Sequence, residues 1–415
     1  MYFGYLGLLH FGLADGSFVR WAGRRAGVIR NEWRTVGRWL LAIQVVNLAI
    51  ALVAARVLAQ PVTSLYLIAL AASALCVNSA TLASFALQAA GDFKSAGRVA
   101  IIAPGLFVVS VLLVPAVSLA ALLGLHVVSC AVAAAYAVTR VVRIAPARDV
   151  DAAPDAPALG ALLTTGLPVL AANVSAGLTQ SADRILLSIP TPITTFALYG
   201  FASTVAVATG AVTQALSRVA LSHAARRPAA ERARFLGAFL DVIAAGYGVV
   251  LLAEPLFEHL VRVNVPTYVA ALPIVRAFTL GVPFWVATHV VLVGTLQSYG
   301  LFRRQVAVEV CGVALVLAAC GIAMATHAPL WRIAAASSLA AVLTFTIGVC
   351  VVRRAMAAAG ELRSIRFAGT AAVQGAALLL ALASSDSWIQ QSAVYLLLAL
   401  VPTFYAASRA REQVW

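Results

Sequence analysis

Residues 5–25 read YLGLLHFGLADGSFVRWAGRR. An apolar run meets one acid, Asp15, and then closes on Arg20, Arg24 and Arg25. Clustered arginines of this kind mark the cytoplasmic end of a membrane helix, because cytoplasmic loops accumulate Lys and Arg. The rest of the chain has the same character. Of its 415 residues, 62% are hydrophobic and 11% charged, against a charged share of about 25% in soluble domains. The mean hydropathy is +0.96. A soluble fold could not hide that much apolar surface, so the chain reads as a polytopic membrane protein.

A net charge of +14 invites a nucleic-acid reading. The basic residues are all arginine apart from Lys94, and most fall in short gaps between apolar runs. That is membrane topology rather than a groove-facing basic surface, and no nucleic-acid partner is expected. Cys76, Cys130, Cys311, Cys320 and Cys350 sit inside apolar runs without CxxC spacing and read as small buried hydrophobes. The opening segment lacks the basic lead-in of a signal peptide.

Apolar runs of about 20 residues predict thirteen helical spans: 2–19, 36–58, 62–90, 96–115, 118–141, 159–188, 192–217, 235–256, 267–298, 303–326, 331–352, 366–384 and 390–408. The gaps alternate in charge. RWAGRRAGVIRNEWRTVGR carries six arginines and LAQPVT no charge; GDFKSAGR is basic and the turn near Pro115 is not. IPTPIT is neutral, SRVALSHAARRPAAERAR is basic, and the gap after it holds Glu254, Glu258 and a lone Arg262. The positive-inside rule then places the carboxy terminus in the cytoplasm and residue 1 on the outer face of the cell membrane. An outside start without a preceding helix leads us to expect one more span upstream of Met1.

Residues 87–94, LQAAGDFK, and 296–303, LQSYGLFR, share L-Q-x-x-G-x-F-[K/R], each where a long span exits into a short basic gap. The repeat implies two related lobes. We therefore expect a first bundle over 1–142 lacking its first helix and a cytoplasmic linker at 143–158. A second bundle over 159–352 and two additional helices with a cytoplasmic tail over 353–415 complete the all-α architecture.

With these residues in view, the chain resembles the polysaccharide flippases of the multidrug/oligosaccharidyl-lipid/polysaccharide exporter superfamily. GLLHFGLADGSFVRWAGR is similar to their second helix, with Gly12, Leu13, Asp15, Gly16, Arg20 and Gly23 on a G-L-x-D-G-x-x-x-R-x-x-G pattern. GLPVLAANVSAGLTQSADRILLSI resembles their seventh, with its polar stripe and the pair Asp183 and Arg184. The resemblance implies two six-helix bundles related by pseudo-symmetry, often with two further helices. This sequence supplies five, six and two.

Ionisable residues inside spans are costly and point to function. Asn173, Gly177, Gln180 and Arg184 recur at helical spacing, with Asp183 beside the last. They form either a polar substrate path or an interhelical seam, in which Asp183 and Arg184 pair. Arg276, between Pro273 and Pro283, reads as an unaccompanied cation whose fork suits pyrophosphate, or else as a cation paired with an acid such as Glu254. Asp15 is a cation or proton site, or a structural hydrogen-bonding group. Arg20 is expected at the cytoplasmic headgroups, and Asp241 and Glu309 in pairs with nearby arginines. Gln88 and Gln297 read as turn elements, and the first basic gap as an amphipathic helix on anionic lipid. His289 reads as a satisfied interior residue. No phosphate loop, nucleophile elbow or paired catalytic carboxylates occur, so neither an enzyme nor a cofactor is expected.

These readings converge on a transporter that flips polyprenyl-pyrophosphate-linked oligosaccharide by alternating access, its cavity cations holding the pyrophosphate. Membrane lipids are its surroundings. A coupling cation and other polysaccharide-assembly proteins stay open as partners. The alternatives are a cation-coupled drug exporter of the same superfamily and, more remotely, a membrane-embedded glycan polymerase or glycosyltransferase.

Overall fold

The computed structural model describes residues 10–21, 24, 26–58, 61–113, 118–144, 158–206, 224, 227–355, 364–385 and 387–414. Outside these lie residue 1 and the first half of span 2–19, Arg25, the turn at Pro115, nearly all of the linker 143–158, the end of span 192–217, and His223. No strand occurs among the described residues. The chain divides into two compact units, Met1–Ala171 and Ala172–Trp415, and the division falls inside one helix, Leu159–Thr179.

The first unit contains α1 (Leu13–Trp21), α2 (Ala26–Leu58), α3 (Pro61–Ala90), α4 (Phe93–Leu113), α5 (Leu119–Val142) and the start of α6 (Leu159–Thr179). Here α3 is the hub, packed against α1, α2, α4 and α5. Many of its buried positions are small (Ala69, Ala71, Ala74, Ala83, Ala86 and Ala89, beside the larger Leu82, Phe85 and Leu87), which lets neighbouring backbones approach where lipid supplies no hydrophobic drive. The outward face of α2 (Leu41, Val45, Ile50 and Val53) is exposed and apolar, as a lipid-facing surface must be. At 33 residues, α2 is about 50 Å long. The expected amphipathic helix of the first basic gap is therefore continuous with the span after it, and Arg30, Arg34 and Arg38 lie on that one helix.

The second unit contains the end of α6, α7 (Ala182–Ser188), α8 (Ile193–Ala206), α9 (Ala229–Asn264), α10 (Leu272–Ala287), α11 (Gly294–Ser298), α12 (Phe302–Ala325), α13 (Leu330–Ala355), α14 (Ser364–Ser384) and α15 (Trp388–Val414). A 3-10 turn (Pro266–Ala271) precedes α10, and a π-helical turn (Thr288–Val293) separates it from α11. Its core runs along α9 through Phe235, Phe239, Ile243, Tyr247 and Leu251, meeting Phe284, Phe345 and Phe367. Helices α14 and α15 dock on α9 through polar ties. Arg366 Nη2 donates to both oxygens of Asp241 at 2.9 and 2.8 Å, Gln374 Nε2 to the Ala244 carbonyl at 3.1 Å, and Tyr395 Oη to the Gly248 carbonyl at 3.0 Å.

The internal repeat is one backbone device used twice. Gly91 has φ +90° and Gly300 φ +70°. Gly91 N donates to the Gln88 carbonyl at 3.0 Å and Asp92 N to the Leu87 carbonyl at 2.8 Å. Gly300 N donates to the Gln297 carbonyl at 3.0 Å and Leu301 N to the Leu296 carbonyl at 2.8 Å. This is a helix C-cap in which a left-handed residue closes the last turn, the conformation that favours glycine.

Ten helices among the described residues are long and apolar enough to cross a membrane; the other expected spans, 2–19, 96–115 and 192–217, correspond to α1, α4 and α8. Two expectations are corrected. Span 159–188 breaks after Thr179, where the Thr179 and Ser181 hydroxyls bond back to the Ser175 and Gly177 carbonyls at 2.9 and 2.8 Å. Such back-bonding competes with the backbone ladder and bends helices. Cys311 and Cys350 are exposed rather than buried, because apolar runs in a membrane helix cover its outer face as well as its inner one.

Candidate functional site

The break in α6 reorganises the polar stripe. Gln180 and Asp183 line a cavity of about 80 Å³ within the second unit, together with Thr179, Ser203, Trp285 and Ser338. Asn173 and Arg184 do not line it; Asn173, a full helical stretch before the break, is exposed. Asp183 is 2% exposed. Its Oδ2 accepts from Tyr199 Oη at 2.7 Å and its Oδ1 from the Arg184 backbone N at 2.7 Å. The Arg184 guanidinium instead donates to the Gln180 carbonyl at 3.0 Å, which corrects the expected Asp183–Arg184 side-chain pair. Its Nε is buried with no hydrogen-bond partner among the described residues, and the same is true of Trp285 Nε1. The cavity thus combines a carboxylate, an amide, a spare indole donor and the rings of Phe278 and Trp285.

Arg276 is not unaccompanied. Its Nε and Nη2 grip Glu258 Oε1 and Oε2 at 2.5 and 2.6 Å, so the acid that holds it is Glu258 of α9 and not Glu254. Arg262, one turn after Glu258, adds a contact at 3.7 Å. The sequence carried the signal, since 254, 258 and 262 are spaced by one helical turn, but it could not show that α10 returns Arg276 to that face.

Asp15 and Arg20 belong to the first unit. Asp15 is buried, with its Oδ2 at 3.7 Å from His10 Nε2. The other ring nitrogen of His10 accepts from Gly12 N at 3.0 Å, which directs the neutral ring's N–H toward Asp15. Gly12 (φ +81°) and Gly16 meet the backbone of Leu162 and Gly166 on α6 so closely that a Cβ at Gly12, Gly16 or Gly166 would overlap it. Gly12 and Gly16 of the opening motif therefore serve helix packing, and Gly23 lies outside the described residues. Arg20 is partly exposed, at the end of α1. It forks onto Glu32 at 2.9 and 2.8 Å, and Glu32 also accepts from Trp21 Nε1 at 3.0 Å and Arg24 Nη1 at 3.1 Å. Glu32, the lone acid in that basic gap, was missed in the sequence although its isolation among six arginines was visible. Asp241 pairs with an arginine as expected, but Glu309 pairs with His289, at 3.2 Å.

No family model matches the chain, and no curated protein matches it. Solved structures do. A lipid II flippase, MurJ, in an inward closed conformation aligns with TM-score 0.64 at 10% identity, covering 97% of this chain and 91% of its own. A MATE in the straight conformation gives 0.64 at 13% identity over 86% and 87%. A MOP superfamily transporter from Pyrococcus furiosus gives 0.61 at 13% identity over 86% of each chain. The chain is a multi-pass helical membrane protein with the fold that these transporter structures share.

Proposed function

We propose that the protein is an alternating-access transporter that moves a polyprenyl-pyrophosphate-linked oligosaccharide across the cytoplasmic membrane, without catalysing a covalent reaction. The observation that carries this reading is extent: the likeness to the lipid II flippase runs over 97% of the chain, against 86% for the MATE structures. Arg184, whose Nε keeps a spare donor, is the first candidate for a phosphate oxygen. Arg276 receives pyrophosphate only by exchanging Glu258, and Gln180, Asn173, Asp183 and Asp15 are proposed as further polar contacts along the path. Reconstitution of the full chain into vesicles loaded with a fluorescent polyprenyl-pyrophosphate oligosaccharide tests the reading. External glycosidase should gain access to the glycan faster than in protein-free vesicles, and Arg184→Ala should slow this at least tenfold. Equal rates with and without protein would overturn it.

The cavity supports a second reading, cation-coupled export of a drug-like cation. A buried carboxylate beside two aromatic rings suits a cation through charge and ring quadrupole. Efflux of a fluorescent cationic dye driven by a sodium or proton gradient, with no glycolipid flipping, would establish that alternative.

A further inference from the structure

With Arg276 held by Glu258, Glu254 is left without a partner of opposite charge among the described residues. It lies on α9 one turn before Glu258, is 6% exposed, and its Oε1 has no hydrogen-bond partner among the described residues. The charges acting on it are those of Glu258, on its own face, and Arg276, from α10. Arg276 is already committed to both oxygens of Glu258. Arg262 reaches Glu258 rather than Glu254, and its side chain is more than half exposed. Tyr247 on α9 also interacts with Glu254. From α15, Tyr395 is tied to the Gly248 carbonyl, and from α14, Gln374 is tied to the Ala244 carbonyl and Thr403. Two acids thus share one close guanidinium, and the pair that forms leaves the second acid buried. A buried carboxylate without a partner is unfavourable, and the group escapes that state by taking up a proton.

We propose that Glu254 is a proton-binding site coupled to the α9–α10 contact. While Arg276 grips Glu258, Glu254 is the neutral carboxylic acid. When its proton leaves to solvent as H⁺, the carboxylate that remains draws Arg276 into sharing between Glu254 and Glu258. Proton binding here is independent of which substrate the protein moves.

Infrared difference spectroscopy of the purified full chain in lipid nanodiscs, titrated from acid to alkaline pH, tests the site. Wild type should show a protonated-carboxyl C=O band at neutral pH that disappears on alkaline titration. Glu254→Gln should lack that band, whereas Glu309→Gln should retain it. Because Gln copies the protonated acid, Glu254→Gln should melt with wild type at neutral pH, whereas the double variant Glu254→Gln/Glu258→Gln, which leaves Arg276 without either acid, should melt lower. A spectrum unchanged by Glu254→Gln would overturn the proposal. So would a Glu254→Gln protein that unfolds as readily as the double variant or does not fold.

Discussion

Removal of Glu32 measures how far one carboxylate holds α1 to α2. Its side chain is 3% exposed and accepts four hydrogen bonds, two from the Arg20 fork and one each from Trp21 and Arg24. Glu32→Ala strands two arginines and an indole donor. Breaking a buried pair from one side costs about 3–5 kcal/mol. Arg20 is 27% exposed and recovers some hydration, which places the expected loss near the lower end, about 3 kcal/mol. For a unit the size of Met1–Ala171, that lowers the melting temperature by about 6–12 °C. The assay is thiol-dye reaction during heating, in a background where Cys311, Cys320 and Cys350 are Ser, so that Cys76 and Cys130 report the first unit alone. Arg34→Ala, on the exposed side of α2, is the control and should change stability by less than about 0.5 kcal/mol. A Glu32→Ala melting temperature within about 2 °C of its parent would refute the claim that this cluster fastens α1.

Gly166→Val places a branched side chain against the Gly12 carbonyl; it should cost at least about 1–3 kcal/mol and lower the yield of monodisperse protein on size exclusion. Gly300→Ala meets no atom within 4 Å, so only its left-handed backbone opposes the change, and a melting scan should register about 1–2 kcal/mol. At Asp92, outside the spans, burial pushes the carboxyl up, but hydrogen bonds from Ser95 and the Arg140 guanidinium outweigh it and hold the group below the usual carboxylate range. Its contribution is therefore present above the unfolded value of about 4 and lost as pH falls through the lower folded value. Acid melting curves should show that loss in wild type and its absence in Asp92→Asn.

Local chemistry made much of the architecture legible. The Gly-x-Phe exits at Gly91 and Gly300 stand out as a repeat in the sequence, and they form the same C-cap. Asp241 near an arginine was also a sound expectation, although Arg366 lies more than a hundred residues away. The candidate site was legible in its residues but not in their partners. Gln180 and Asp183 belong to one helical stripe and do share a cavity, yet Arg184, next to Asp183 on α7, points about 100° away around the helix and does not line it. Arg276 was legible as a cation, free or paired with an acid such as Glu254, but not as the partner of Glu258.

Sequence alone determined which segments must be helical and apolar, because a bilayer admits no other way to satisfy the backbone. It also determined where the arginines must gather and where two helices must stop at a glycine. Only the tertiary structure decided which charge meets which. Glu258 rather than Glu254 takes Arg276, Glu32 takes Arg20, and His289 takes Glu309. Those choices depend on helices returning along one another, and the energy of a buried charge depends on the few ångströms around it.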